Sequence, residues 1–254
     1  MNRLFYLIVL MLFNPLHALA IVNVESMDLK ADAEGVSGKA GVAMQSSSGN
    51  TVKQSYDLEG LLMYKQDAHL SFFSGSYSYG KAGVVRNTSK SFLHARHRYQ
   101  LDDAWAVEAF TQYQRNEFSR LSSRVLWGGG GRFGIHPGVN AWVNVGLGGF
   151  YEREQLQPKA ATTDVLHASL WRMNGYLSWK QKLAENVSLY QVVYYQPAMK
   201  DFGDFRMLGQ LSLTVSLSDA LGLRLSVDAA HDSRPPQQVK SSDVTQKVIL
   251  DYAF

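Results

Sequence analysis

The stretch Val244-Thr245-Gln246-Lys247-Val248-Ile249-Leu250-Asp251-Tyr252-Ala253-Phe254 decides the fold. Counting back from Phe254, every second residue is Tyr252, Leu250, Val248, Gln246 and Val244, all apolar but one. The residues between them, Ala253, Asp251, Ile249, Lys247 and Thr245, are mostly small or polar. A period of two is the mark of a strand with one apolar face. An edge strand of a soluble sandwich carries the same pattern, so the rest of the chain has to separate the possibilities.

The beginning of the chain points to export. Met1-Asn2-Arg3 is a short positive region, and residues 4–13 form an apolar run followed by the small-x-small site Ala18-Leu19-Ala20. That run is too short to span a bilayer as a helix and has the length of a signal-peptide core. The expectation is a signal peptide over 1–20 and a mature chain from Ile21, with 21–33 as a periplasmic segment carrying Glu25, Asp28, Lys30 and Asp32. No other apolar run reaches spanning length, so a membrane-resident mature chain would have to cross as a barrel.

Composition narrows the classes further. The chain has no Cys, which rules out a disulfide framework. The formal charge of +3, about +2 without Arg3, is too weak to suggest nucleic acid as a partner. Aromatics make up 12%, Gly 21 residues, Pro only 6, and the mean hydropathy is −0.17. Alternation dilutes hydrophobicity in this way in membrane barrels.

From residue 34 onward one unit repeats: alternating strand, polar loop, alternating strand, tight turn. Strands are expected near 36–45, 52–65, 68–79, 89–101, 105–114, 123–135, 141–152, 165–180, 187–196, 205–217 and 221–229, then the C-terminal stretch. Phe205, Met207, Gly209, Leu211, Leu213, Val215 and Leu217 show the alternation most cleanly. The third strand is aromatic on both parities (Phe72 against Phe73, Tyr77 and Tyr79), and its faces stay unassigned. Gln66-Asp67, Asp102-Asp103, His136-Pro137-Gly138, Ala184-Glu185-Asn186 and Ser218-Asp219-Ala220 read as tight turns. Longer loops are expected at 46–50, 80–87, 115–122, 153–163, 197–204 and 231–243. The fold predicted over 34–254 is therefore all-β: a transmembrane antiparallel up-and-down barrel of about twelve strands, with short periplasmic turns and longer extracellular loops. Trp105, Tyr113, Trp171, Trp179, Tyr252 and Phe254 fall near strand ends, where interfacial aromatic belts sit.

The C-terminal stretch ending in Tyr252 and Phe254 resembles the signal that the barrel-assembly machinery reads in outer-membrane barrels. His231-Asp232-Ser233-Arg234-Pro235-Pro236, followed by Lys240, Asp243, Thr245 and the final Tyr252-Ala253-Phe254, resembles the C-terminus of the salt-induced outer-membrane protein family (YdiY-like), a domain of unknown function. In that family a His-Asn-Ser-x-Pro-Pro loop precedes the last strand; here Asp232 replaces the Asn. Gln45-Ser46-Ser47-Ser48-Gly49-Asn50-Thr51 resembles its first loop, with extra residues, and Gln114-Arg115-Asn116-Glu117-Phe118-Ser119 with the run Gly128 to Gly131 resembles its loop and glycine-rich strand. The resemblance covers most of the mature chain and implies an outer-membrane location with an envelope or salt-stress role.

No catalytic constellation emerges. His231-Asp232-Ser233 holds three triad letters, but adjacent loop residues do not form a relay with one another. The remaining histidines show no zinc spacing, so neither a metal nor a cofactor is expected. Gly128 to Gly131 lie in a strand and fit close strand packing or curvature better than a phosphate loop. What remains is the inward parity: Arg96, Arg98, Arg124, Arg132, Arg172, Lys180, Arg206 and Arg224 against Glu108, Asp228 and also Asp57, Glu59, Glu152 and Asp251. Two readings stay open for such a lumen. It is either plugged by ion pairs or a narrow, weakly anion-favouring small-solute channel. An enzyme acting on lipid or peptide at the cell surface and a soluble periplasmic binding module are the alternatives. A monomer surrounded by outer-membrane lipid is the expected state.

Overall fold

Alternating side chains along the chain give strands with two chemically different faces, and such strands are stable only when one face is shielded. The computed structural model describes residues 34–47 and 53–254. The expected signal peptide (1–20), the segment 21–33 and loop residues 48–52 lie outside the described residues. The strands are β1 (Gly35–Ser47), β2 (Lys53–Gln66), β3 (His69–Ala82), β4 (Val85–Gln100), β5 (Trp105–Asn116), β6 (Leu121–Gly138), β7 (Ala141–Leu156), β8 (His167–Ala184), β9 (Val187–Ala198), β10 (Asp201–Ser216), β11 (Leu221–Asp232) and β12 (Ser242–Ala253). Each pairs antiparallel with its neighbours in the chain, and β1 meets β12, so the sheet closes into a twelve-stranded barrel.

Register sorts the two parities. Outward residues are apolar and exposed, as in Leu147 (63%), Trp171 (54%) and Leu250 (45%), whereas inward Phe150 (0%), Val192 (1%) and Ile249 (1%) are buried. The third strand resolves the same way: Phe73 and Tyr77 face out, and Phe72 packs inside with Leu61, Met63 and Phe92. Aromatic neighbours run along the outer wall, with Tyr151 between Trp127 (5.1 Å) and Trp171 (5.3 Å), and Trp105 against Phe133 (4.8 Å).

The connections at one end are all short and the two long ones lie at the other, where β3–β4 and β9–β10 are nonetheless joined by two residues each, so the loops are shorter than their composition suggested. The segments expected as loops at 80–87 and 197–204 are mostly strand, because β3–β4 and β9–β10 continue as polar hairpins past the apolar band. His136-Pro137-Gly138 lies within β6, and the turn follows it. Two connections are long among the described residues, 157–166 and 233–241.

The glycines of β6 and β7 thin the wall from inside. A Cβ on Gly148 would stand 2.2 Å from the Gly129 carbonyl oxygen, and one on Gly146 would fall within the Tyr176 ring, 1.9 Å from Cε1. These positions let the two backbones approach and give Tyr176 its place in the lumen.

Candidate functional site: the charged lumen and its lid

Charges placed on the inward face of a closed barrel can find only each other, and three clusters result. In the first, Glu108 on β5 accepts from Arg98 Nε (2.7 Å), Arg96 Nη1 (3.4 Å) and the Tyr176 hydroxyl (3.0 Å), with Arg132 Nη1 at 3.8 Å. In the second, Glu152 on β7 accepts from Arg124 Nε (2.8 Å), Arg206 Nη1 (2.6 Å) and Arg172 Nε (3.3 Å). Arg206 also donates to Glu154 (2.7 Å) and Asp232 (3.0 Å), and Arg172 to Asp204 (2.9 Å). In the third, Arg224 on β11 donates to Asp251 (2.9 Å) on β12 and to Glu59 (2.8 Å) on β2. Lys247 reaches Glu59 (3.0 Å) and Asp57 (3.2 Å), and Lys39 reaches Asp251 (3.2 Å).

Eight of the ten inward candidates thus take part in these clusters. Asp228 stands apart from the clusters and accepts from Gln210 Nε2 (2.5 Å) and Ser226 Oγ (3.1 Å), while Lys180 lies 5.3 Å from the Trp142 ring centroid. Tyr252 and Phe254 face outward at the seam, where Phe254 exchanges main-chain bonds with Gly38 (2.9 and 3.0 Å). The guanidinium–carboxylate groupings are buried, with Arg224 and Asp251 both 1% exposed. A buried charge persists only when paired and hydrogen-bonded, so the members of each cluster depend on one another.

His231, Asp232 and Ser233 turn to three different partners. His231 Nδ1 meets Ser242 Oγ (2.8 Å), Asp232 holds Arg206, and Ser233 Oγ accepts from Phe205 N (2.8 Å) and donates to the Gly203 carbonyl (3.0 Å). They form no relay with each other.

Reading the sequence missed Arg120. Asn116 caps a short 3-10 turn, Glu117–Ser119, by accepting from Phe118 N, and Arg120 ends it in the left-handed region at φ 60°. From there its guanidinium donates to the Gln157 carbonyl (3.1 Å), to Thr162 Oγ1 (3.2 Å), to Asp164 Oδ2 (2.5 Å) and to the Gln237 carbonyl (2.9 Å). Gln237 belongs to the β11–β12 loop, six strand positions away, which is half of a twelve-strand ring. Its own N–H donates to Asp164 (3.0 Å), and its side chain bonds Thr163 in both directions (3.3 and 3.0 Å). The loop after β11 therefore crosses the mouth and is tied to the far rim. The Asp164 carboxyl is held below the usual carboxylate range by the Gln237 N–H and then by Arg120. Beneath this lid lies a cavity of about 140 Å³, bounded by Phe92, Arg206, Pro235, Asp243 and Lys247 among others. A second cavity of about 50 Å³ lies deeper, beside Arg96, Asn174 and Gln210, and Leu208 lines both.

Residues 40–254 match the family described as "Protein of unknown function, DUF481". The chain belongs to DUF481. No curated protein matches the sequence. Among solved structures, this DUF481 barrel is similar to the translocator domain of the autotransporter NalP from Neisseria meningitidis, with 13% identity, 89% of this chain and 91% of that chain covered, and a TM-score of 0.54. It is also similar to an outer membrane channel from Pseudomonas putida F1 (11% identity, 92% and 99% covered, TM-score 0.53) and to the NanC porin (10%, 85% and 98%, 0.52). At these identities the likeness is one of fold: the DUF481 chain is built as outer-membrane barrels are.

Proposed function

We propose that the protein is a monomeric outer-membrane barrel, exported by its N-terminal signal and set in lipid with the lid outside, whose resting state is closed. The burial of Glu152 among three guanidiniums in the long-loop half of the lumen carries this reading: side chains occupy the space a pore would need. The inward apolar set of Phe72, Phe92, Phe150 and Val192 takes up further space and leaves the two small cavities described above. The apolar outer wall, with aromatics at intervals, matches a hydrocarbon surround. The role is non-enzymatic, and the resemblance to salt-induced barrels supports expression under osmotic load. Planar-bilayer recording of the refolded protein tests the closed state: silence is expected, and steady open-channel steps overturn it. Immunoblots of cells shifted to high salt test the induction.

A gated small-solute channel is the second reading, favoured by the two cavities stacked under the lid and by the porin and channel among proteins of similar fold. Arg120→Ala releases the lid. Conductance in that variant, absent in the parent, is the outcome this reading requires.

A further inference from the structure

The barrel does not close evenly. β12 pairs with β11 over eleven positions, Leu221↔Tyr252 to His231↔Ser242, but with β1 over only four, Lys39↔Ala253 to Val42↔Leu250. Gly38 and Phe254 exchange both main-chain bonds. In an antiparallel ladder alternate residues then turn their N–H and C=O groups to the same neighbour. Tyr252, Leu250, Val248 and Gln246 therefore face β1, and Ala253 N donates on the β11 side, to Ala220. Beyond Val42↔Leu250 the register stops. Among the described residues, Val248 and Gln246 on one edge, and Met44 and Ser46 on the other, fall outside the β1–β12 register.

Unpaired main-chain groups are costly within a membrane and demand a partner. Side chains bridge the gap on the lumen side. Lys247, next to both of those β12 residues, reaches past β1 to Asp57 and Glu59 on β2. An ammonium has three donors, and Lys247 has two carboxylate partners. On the outer side of the same seam stand Met44 (73% exposed) and Val248 (59%). Apolar surface outside, main-chain N–H donors at the threshold and a lysine just within suit an anionic amphiphile: tails along Met44 and Val248, phosphate oxygens at the N–H groups.

We propose that the long-loop half of the β1–β12 seam is a binding site for the phosphate group of an anionic outer-leaflet lipid. The site rests on the membrane placement and orientation given above.

Native mass spectrometry of the detergent-solubilised protein with phosphatidylglycerol or phosphatidylcholine reads the site directly. Preferential retention of phosphatidylglycerol is expected, and equal retention overturns the proposal. Gln246→Pro deletes one seam donor without removing a β11 ladder bond; loss of a hydrogen bond to a charged group is worth about tenfold in retention. Unchanged retention in this variant also overturns it. Because the chain has no Cys, a Met44→Cys/Val248→Cys disulfide would be the only one present and would close the edges together. Retention should fall on oxidation and return on reduction; retention unaffected by oxidation refutes the site. Flotation with liposomes separates the two readings. Protein that does not float refutes the membrane placement, and protein that floats without lipid preference refutes the seam site alone.

Discussion

Glu152→Gln probes the closed lumen most directly. The carboxylate is 2% exposed and accepts from three guanidiniums at 2.6–3.3 Å. Its neutralisation leaves three buried positive charges converging on an amide that neutralises none of them. Breaking a buried ion pair by removing one partner costs about 3–5 kcal/mol. Here other acceptors soften the loss: Glu154 and Asp232 keep Arg206, Asp204 keeps Arg172, and Gln114 holds Arg124. The expected destabilisation is therefore near the low end, about 3 kcal/mol, or roughly a hundredfold in the unfolding equilibrium. Urea titration of the protein refolded in lipid vesicles, followed by the fluorescence of its five Trp residues, measures it. Glu34→Gln is the internal control. Its pair with Lys65 is 3.8 Å long with Glu34 60% exposed, so a change below about 0.5 kcal/mol is expected. Mutual repulsion of the three arginines should also loosen the lumen, and anion-favouring conductance should accompany the lost stability. A Glu152→Gln protein as stable as Glu34→Gln, and as silent as the parent, would refute the claim that this cluster holds the lumen shut.

Acidity should open the lid. A carboxyl lowered on folding contributes stability that is present above its unfolded pKa, about 3.9, and is lost as pH falls through the lower folded value; Asp164 is such a group. Hydrogen exchange over 157–166 and 233–241 should stay slow at pH 5 and accelerate only below the ordinary carboxylate range, whereas Asp164→Asn should exchange fast at both. Gly148→Ala should abolish heat-modifiable migration on gels, since its Cβ would meet the Gly129 backbone at 2.2 Å; Gly131→Ala, with nothing within 4 Å, should fold as the parent does. Phe254→Ala should slow refolding into vesicles, because the Phe254 ring covers Gly38 at the start of the short seam.

Strand number and facing were legible because alternation survives wherever the outer face is apolar and the inner face polar. It failed at Phe72 and Phe73, where the lumen itself is apolar around Leu61, Met63 and Phe92 and both parities call for large hydrophobic residues. The hairpin ends at Val85 to Asn87 and Asp201 to Asp204 read as loops because strand beyond the apolar band has loop composition. The inward charges were legible as a set but not as pairs. Arg224 and Glu59 are 165 positions apart, and only closure brings β11 and β2 to opposite sides of β1 and β12. Arg120 carried no periodic signal at all: its role depends on a backbone angle and on a loop from the far side of the ring.

The third cluster bears on the order of events during assembly. Lys39, Asp57 and Glu59 lie on the first two strands, and Arg224, Lys247 and Asp251 on the last two. A half-built sheet entering hydrocarbon would keep the Arg224–Asp251 pair on β11 and β12 but carry Lys39, Asp57, Glu59 and Lys247 without their counterparts, at a heavy cost of desolvation. For the membrane placement proposed above, these pairs tie insertion to closure: the charged ends favour staying hydrated until they have met.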